Sequence, residues 1–300
     1  MKRPTSPPPR SRRRSRQAEH LCRMLQRLWQ DYREQHRRCQ RRCRHDSVHD
    51  LRVATRRLLA HLDLLRVLIN HEALDKSRRI LTARLGFFAE LRDTQVQLDH
   101  VTRQIRAFPE LQPLRDALEK SERRAIEAAA DALAQDRNHK LRQHFTVVTS
   151  RLAVAVAEPG AGRRQALAIR EALQSRFQQV VQRQQRAAAA TDGIHRVRVA
   201  MKKYRYLLEA LQPILRRFSP SRFQRLVTFQ DVTGELHDIE VLLARLGAMV
   251  KKEKLDAWRT HRFRELLTRR HAALMVAYHS LAGELFADGA PALRFTLQSP

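Results

Sequence analysis

Apolar residues return every three or four positions along almost the whole chain, the spacing of helices that bury one stripe. Nothing alternates with period two for long enough to make a strand, so the pattern predicts an all-α protein. Leu21, Leu25, Leu28 and Trp29 or Tyr32 share one side of a first helix, from Gln17 to about Cys43, with arginines on the other side. Ser47 stands where an N-cap belongs, with Asp50 three residues on, and opens a helix reaching about Ile69. A single long helix is expected from Ala73 to about Ile105, carrying Leu81, Leu85, Phe88, Leu91 and Leu98. Two more run from about Pro113 to Leu133 and from Arg137 to Val156. Glu158-Pro-Gly-Ala-Gly162 reads as a linker, and a helix from about Arg163 to Arg186 leads to a second cap signal at Thr191-Asp192-Gly193. The helix after it ends or kinks at Pro213, Ser219-Pro220 starts another, and a last one covers about Glu253 to Leu285. The organisation is a basic arm (1–16), a first helical half (17–157), a linker (158–162), a second half (163–285) and a C-terminal tail (286–300).

Two of these helices carry the same polar pattern. In His49-Asp-Leu-Arg-Val-Ala-Thr-Arg-Arg-Leu58, a histidine is followed by basic residues three, seven and eight positions later: Arg52, Arg56 and Arg57. In His195-Arg-Val-Arg-Val-Ala-Met-Lys-Lys-Tyr-Arg-Tyr206, His195 is followed at the same offsets by Arg198, Lys202 and Lys203. On a helix, offsets of three and seven fall on one face and eight lies at its flank. The neighbouring face is apolar in both: Val48, Leu51, Leu58, Leu59 and Leu62, then Ile194, Val197, Leu207 and Leu208. The repeat extends further. Asp63 and Glu209 stand 146 positions apart, as do the two histidines, and Ala89-Glu-Leu-Arg-Asp93 matches Gly234-Glu-Leu-His-Asp238 at 145. A duplicated helical unit, each half relying on the other to complete its core, is the economical reading.

Composition gives that column of nitrogens a context. The 300 residues carry a formal net charge of +28, which works against a compact state unless an anionic partner offsets it. A hydrophobic content of 43% argues against global disorder, and eight glycines leave little room for a turn-rich β fold. Residues 1–16, almost all Pro, Ser and Arg, are expected to be a disordered basic arm. The three cysteines (Cys22, Cys39, Cys43) form no disulfide framework and suit a reducing compartment. Cys39 and Cys43 share a helix face with His36 and His45 nearby, but the spacing of a structural zinc site is missing, and no metal or other cofactor is expected. With no apolar leader and no run of 18 apolar residues, the expectation is a soluble cytoplasmic protein without a membrane partner. Oligomeric state is left open.

One such column alone reads as a solvated face. Two in register point to a shared cleft or pore if the halves pack about a pseudo-twofold axis, with Arg92 and His237 from the following helices as further members. Arginine offers a planar fork that matches phosphate oxygens, and lysine a point charge. Histidine contributes charge only when protonated, so binding should strengthen in mild acid. Asp63, Asp93, Glu209 and Asp238 are read as carboxylates that orient the basic side chains and offset their repulsion. Tyr204, Tyr206, Trp29 and Trp258 fit helical core or boundary positions. Non-specific nucleic-acid binding is the alternative that charge alone would support, although only 6% of residues are aromatic and no nucleic-acid motif appears. An enzyme acting on a phosphate-rich substrate is a weaker alternative, since there is no phosphate-cradling glycine loop.

The strings HDLRVATRRL, IHRVRVAMKKYRYLLE, ELRDTQVQL and the stretch from Phe229 through Gly234-Glu-Leu-His-Asp238 resemble the CHAD family, the conserved histidine α-helical domain, from the end of the arm to about residue 285. The resemblance implies two tandem pseudo-twofold-related bundles of about four long helices each, with a central basic cavity that binds inorganic polyphosphate, and association with polyphosphate granules. Carried over by position, it implies binding by His49, Arg52, Arg56, Arg57, His195, Arg198, Lys202, Lys203 and Arg205. Ala89 stands where the family tends to have glycine, and Gln95 where a second acid often follows, which weakens a metal role for the first half. The E-x-E-x-K strand of an attached triphosphatase module is absent, so the expectation is a protein that is not an enzyme.

Overall fold

The computed structural model describes residues 16–135, 138–158, 161–187, 193–216, 219–286 and 296–297. Ten α-helices make up almost all of it: α1 (Arg16–Arg41), α2 (His45–Leu65), α3 (Glu72–Phe87), α4 (Ala89–Gln104), α5 (Gln112–Gln135), α6 (His139–Ala157), α7 (Ala161–Gln185), α8 (Gly193–Leu211), α9 (Pro220–Lys251) and α10 (His261–Phe286). The protein is all-α. Two two-residue strands, β1 (Leu215–Arg216) and β2 (Thr296–Leu297), pair antiparallel, a small departure from the strand-free expectation. No helix among the described residues is long and apolar enough to cross a membrane. The arm before Arg16, Pro159 and Gly160 of the linker, the cap signal at Thr191-Asp192 and most of the tail lie outside the described residues.

The two helices with the basic columns sit at the centre. α1 packs along α2 and α7 along α8, α2 and α8 pack on each other, and α4 meets α9. The α2–α8 and α4–α9 contacts thus join corresponding members of the repeat. One apolar cluster runs through both halves: Val48, Leu51, Leu58 and Leu62 of α2 and Val197, Met201, Tyr204 and Leu208 of α8 are all buried in it. Trp29 is part of this packing, its ring stacked on Phe145 with centroids 4.4 Å apart. His61 is wholly buried and ties α2 to α1 through a contact of 3.0 Å with the Leu21 carbonyl; burial pushes its pKa down to about 4, so it is a neutral packing group.

Four local readings need correcting. α2 begins at His45, two residues before Ser47. Ser47 is buried, its hydroxyl 2.6 Å from the Arg42 carbonyl while it accepts the Arg44 N–H at 2.9 Å, so it pins the α1–α2 turn from within the first turn of the helix. Ser47→Ala should therefore cost about 1 kcal/mol, the usual value for a lost helix-end hydroxyl, read as a lower midpoint in urea unfolding with an unchanged slope. The helix expected over 73–105 is two, because Phe88 leaves the helical region (φ −100°, ψ 7°) to place its ring in the core. The end expected at Pro213 is in place: α8 stops at Leu211, and the proline falls in a 3-10 turn over Gln212–Ile214.

The last helix starts at His261, not near Glu253. Glu253 takes a left-handed conformation (φ 56°), and the Lys254 N–H reaches back to the Met249 carbonyl, which closes the end of α9. Asp256 then caps the next turn by accepting the Trp258 and Arg259 N–H groups. Trp258 rides on that turn at 85% exposure, so it is neither core nor boundary.

Candidate functional site

The α2–α8 junction borders a cavity of about 580 Å³. α2 supplies Arg52, Arg56 and Asp63; α8 supplies His195, Arg198, Lys202, Lys203 and Tyr206; Asp93 of α4 and His237 of α9 border it as well. The spacing does this directly: Arg52 and Arg56 are one turn apart, as are Arg198 and Lys202, while the opposite face of each helix is held in the core. Leu59, Leu64, Leu85 and Leu207 add apolar wall, and low-dielectric walls concentrate the field of the cations.

The two columns act on each other electrostatically. Burial pulls the Arg52 pKa down to about 10, and the neighbouring Arg56 adds to the effect. Arg198 is also lowered, by burial first, with the charge of Arg56 on the facing helix contributing. Lys202 is the most perturbed of the set: burial, then Arg198 and Arg56, push it down to about 7. Asp238 lies in the same field and is raised by burial, with Arg198 and Lys202 opposing. The Nε of Arg198 and the Nδ1 of His195 are buried and have no hydrogen-bond partner within the described residues. A buried guanidinium N–H without an acceptor is costly unless a ligand supplies one.

The other expected residues are placed differently. Arg52 is 8% exposed and donates to the Leu85 carbonyl at 3.1 Å, so part of its fork holds α3 in place. Arg57 does not line the cavity; it forms an ion pair with Glu209 at 2.7 Å, linking α2 to α8. Arg205 donates to Gln230 at 2.7 Å, lies 3.5 Å from Glu209 and stacks over Tyr206. His49 is exposed and outside the lining, its pKa lowered by burial and then by Arg92. Arg92 contacts His45 at 2.6 Å. His195 packs against His237 with ring centroids 4.7 Å apart, and burial followed by Arg198 lowers His237. Asp93 and Asp238 both act on Arg92 and Arg198, which places them among the cations as counter-charges.

The sequence reading missed Arg78 of α3 and Arg176 of α7. Both line the cavity and both pair with Asp63, Arg78 through Nε and Arg176 through Nη2 at 3.0 Å. Neither belongs to the repeated string, and their only signal was Asp63 itself, a carboxylate needing cations from outside its own helix. The sulfurs of Cys39 and Cys43 are 3.9 Å apart, and the described residues contain no group of three or more side chains suited to holding a metal ion.

The CHAD domain family model matches residues 23–247. Two solved structures share the fold. One is the crystal structure of the CHAD domain from the plant Ricinus communis, with TM-score 0.65 and 22% identity over 90% of this chain and 92% of that one. The other is PptA from Streptomyces chartreusis, with TM-score 0.61 and 17% identity over 88% and 98%. No curated protein matches the sequence.

Proposed function

This chain belongs to the CHAD domain family, and from that premise we propose that it binds inorganic polyphosphate in the α2–α8 cavity without cleaving or extending it. The observation that carries the reading is the convergence of Arg56, Arg198 and Lys202 from two facing helices on one hollow. Basic groups held this close repel one another, and an anion between them relieves that repulsion. A row of phosphates suits the site better than a single small anion, because the donors are strung along two helices. Asp93 and Asp238 set the orientation of the guanidinium groups and moderate their repulsion while the cavity is empty of anion. Association with polyphosphate granules follows from the same chemistry.

Competition tests the reading. Long-chain polyphosphate should displace bound DNA or RNA from the full chain at moderate salt, and its chain-length distribution should be unchanged after incubation with Mg²⁺. Displacement in the opposite direction would assign the cavity to nucleic acid, and shortening of the polymer would assign it to an enzyme. Affinity should fall steeply with salt, because each neutralised phosphate releases counterions.

A further inference from the structure

The repeat places a carboxylate at the same position of α2 and α8, yet the two carboxylates have different partners. Glu209 is enclosed by Arg57 and Arg205, and none of these three lines the cavity. Asp63 instead pairs with Arg78 of α3 and Arg176 of α7, and all three do line it. Lys203 sits in the same field, acted on by Arg176 and Asp63, and also borders the cavity. The duplicated site is therefore closed at one carboxylate and open at the other.

Resting on the polyphosphate reading, we infer that Arg78, Arg176 and Lys203 form a second phosphate subsite that takes the next segment of the polymer, so that the chain leaves the α2–α8 columns on the α3/α7 side. Three cations face one carboxylate, which leaves this end of the cavity with a net positive charge. A guanidinium has five N–H donors in a fixed fork. Asp63 uses one nitrogen of Arg78 and one of Arg176, holding both forks in place with donors to spare. The side chains of both arginines remain about 30% exposed, so a phosphate oxygen can reach them. Ser175, next to Arg176, and Gln179, about one turn further along α7 and accepting from the Arg176 Nη1 at 3.3 Å, line the same end with further polar groups. Arg57 and Arg205 are held by Glu209 outside the lining of the cavity, so the equivalent carboxylate does not bring its arginines to it.

Chain length is the discriminating variable. Tripolyphosphate and long-chain polyphosphate should be titrated into the wild-type protein, R78Q/R176Q and S175E, with circular dichroism confirming the fold. S175E adds a carboxylate at this end of the cavity from an exposed position and leaves the Asp63 pairs intact, so it carries the test if R78Q/R176Q does not fold. Wild type should bind the long polymer more tightly per chain than tripolyphosphate. Both variants should lose about tenfold or more for the long polymer, the scale of one or two charge-assisted contacts, and change little for tripolyphosphate. Retention of the wild-type length dependence in S175E, or equal losses for both ligands, would overturn the subsite. A wild-type protein that binds neither ligand would instead end the polyphosphate reading on which the subsite rests.

Discussion

Replacing Arg56, Arg198 and Lys202 together by glutamine should lower polyphosphate affinity by roughly three orders of magnitude or more. Hydrogen bonds to charged groups contribute about 1.5–3 kcal/mol each, and each 1.4 kcal/mol is about tenfold in affinity. The plot of log affinity against log salt should flatten as well, by roughly two to three in slope if the counterion release of nucleic acids carries over to this polymer. Arg52 is left out of the triple variant because its bond to the Leu85 carbonyl gives it a structural duty, and its loss would mix binding with folding. The three chosen residues crowd like charges into a low-dielectric hollow, so their neutralisation should leave the thermal midpoint unchanged or raised. Isothermal titration at two salt concentrations, with a melt of each protein, separates these effects. Deleting residues 1–15 is the control and should cost far less. If that deletion removes most of the binding while the triple variant retains it, the cavity is not where the polymer sits.

How much of this was legible in the chain follows from which interactions are local. The basic columns could be read from residue offsets because a helix converts offsets of three, four and seven into one face, and duplication showed that the pattern was not chance. The duplication made a shared cleft conditional on the halves packing about a pseudo-twofold axis, and the packing of α2 on α8 meets the need for the two columns to come together. The break at Phe88 was not legible: no proline marks it, and the chain turns there because the core takes the phenylalanine ring. The Glu253 turn was hidden for a related reason, since a left-handed residue at a helix end is usually glycine and here is not. Arg78 and Arg176 come from helices outside the repeated string, and only tertiary packing brings them to Asp63. Arg57 shows the converse. It has the right offset and residue type, yet it pairs with Glu209 and stays out of the lining, while Lys203 at the same offset of the other copy borders the cavity.

Lys202 sets the pH dependence expected of the site. In the free protein its pKa is pushed down to about 7 by burial and by Arg198 and Arg56, so near neutrality the lysine is only partly charged. A phosphate beside it favours the ammonium form and raises that pKa, so polymer binding takes up a proton. The direction follows from linkage. Below pH 7 the lysine is already charged before the ligand arrives, and its contribution to affinity is complete. As pH climbs from 7 toward the raised pKa of the complex, a proton must be captured on binding, and affinity falls by up to about tenfold per pH unit. Arg52, at about 10, stays charged across this window. His237 and His49 are lowered from their ordinary values by burial, so any strengthening they add lies on the acid side and is separable from the lysine effect. Titrations from pH 6.5 to 9 should therefore show affinity level near the acid end and declining above 7, with proton uptake detectable as a buffer-dependent binding enthalpy. K202R keeps its charge throughout, because a guanidinium does not deprotonate in this range. In K202R the decline between pH 7 and 9 should disappear while tight binding persists. A decline that survives unchanged in K202R would mean that another group takes up the proton and that Lys202 does not meet the polymer.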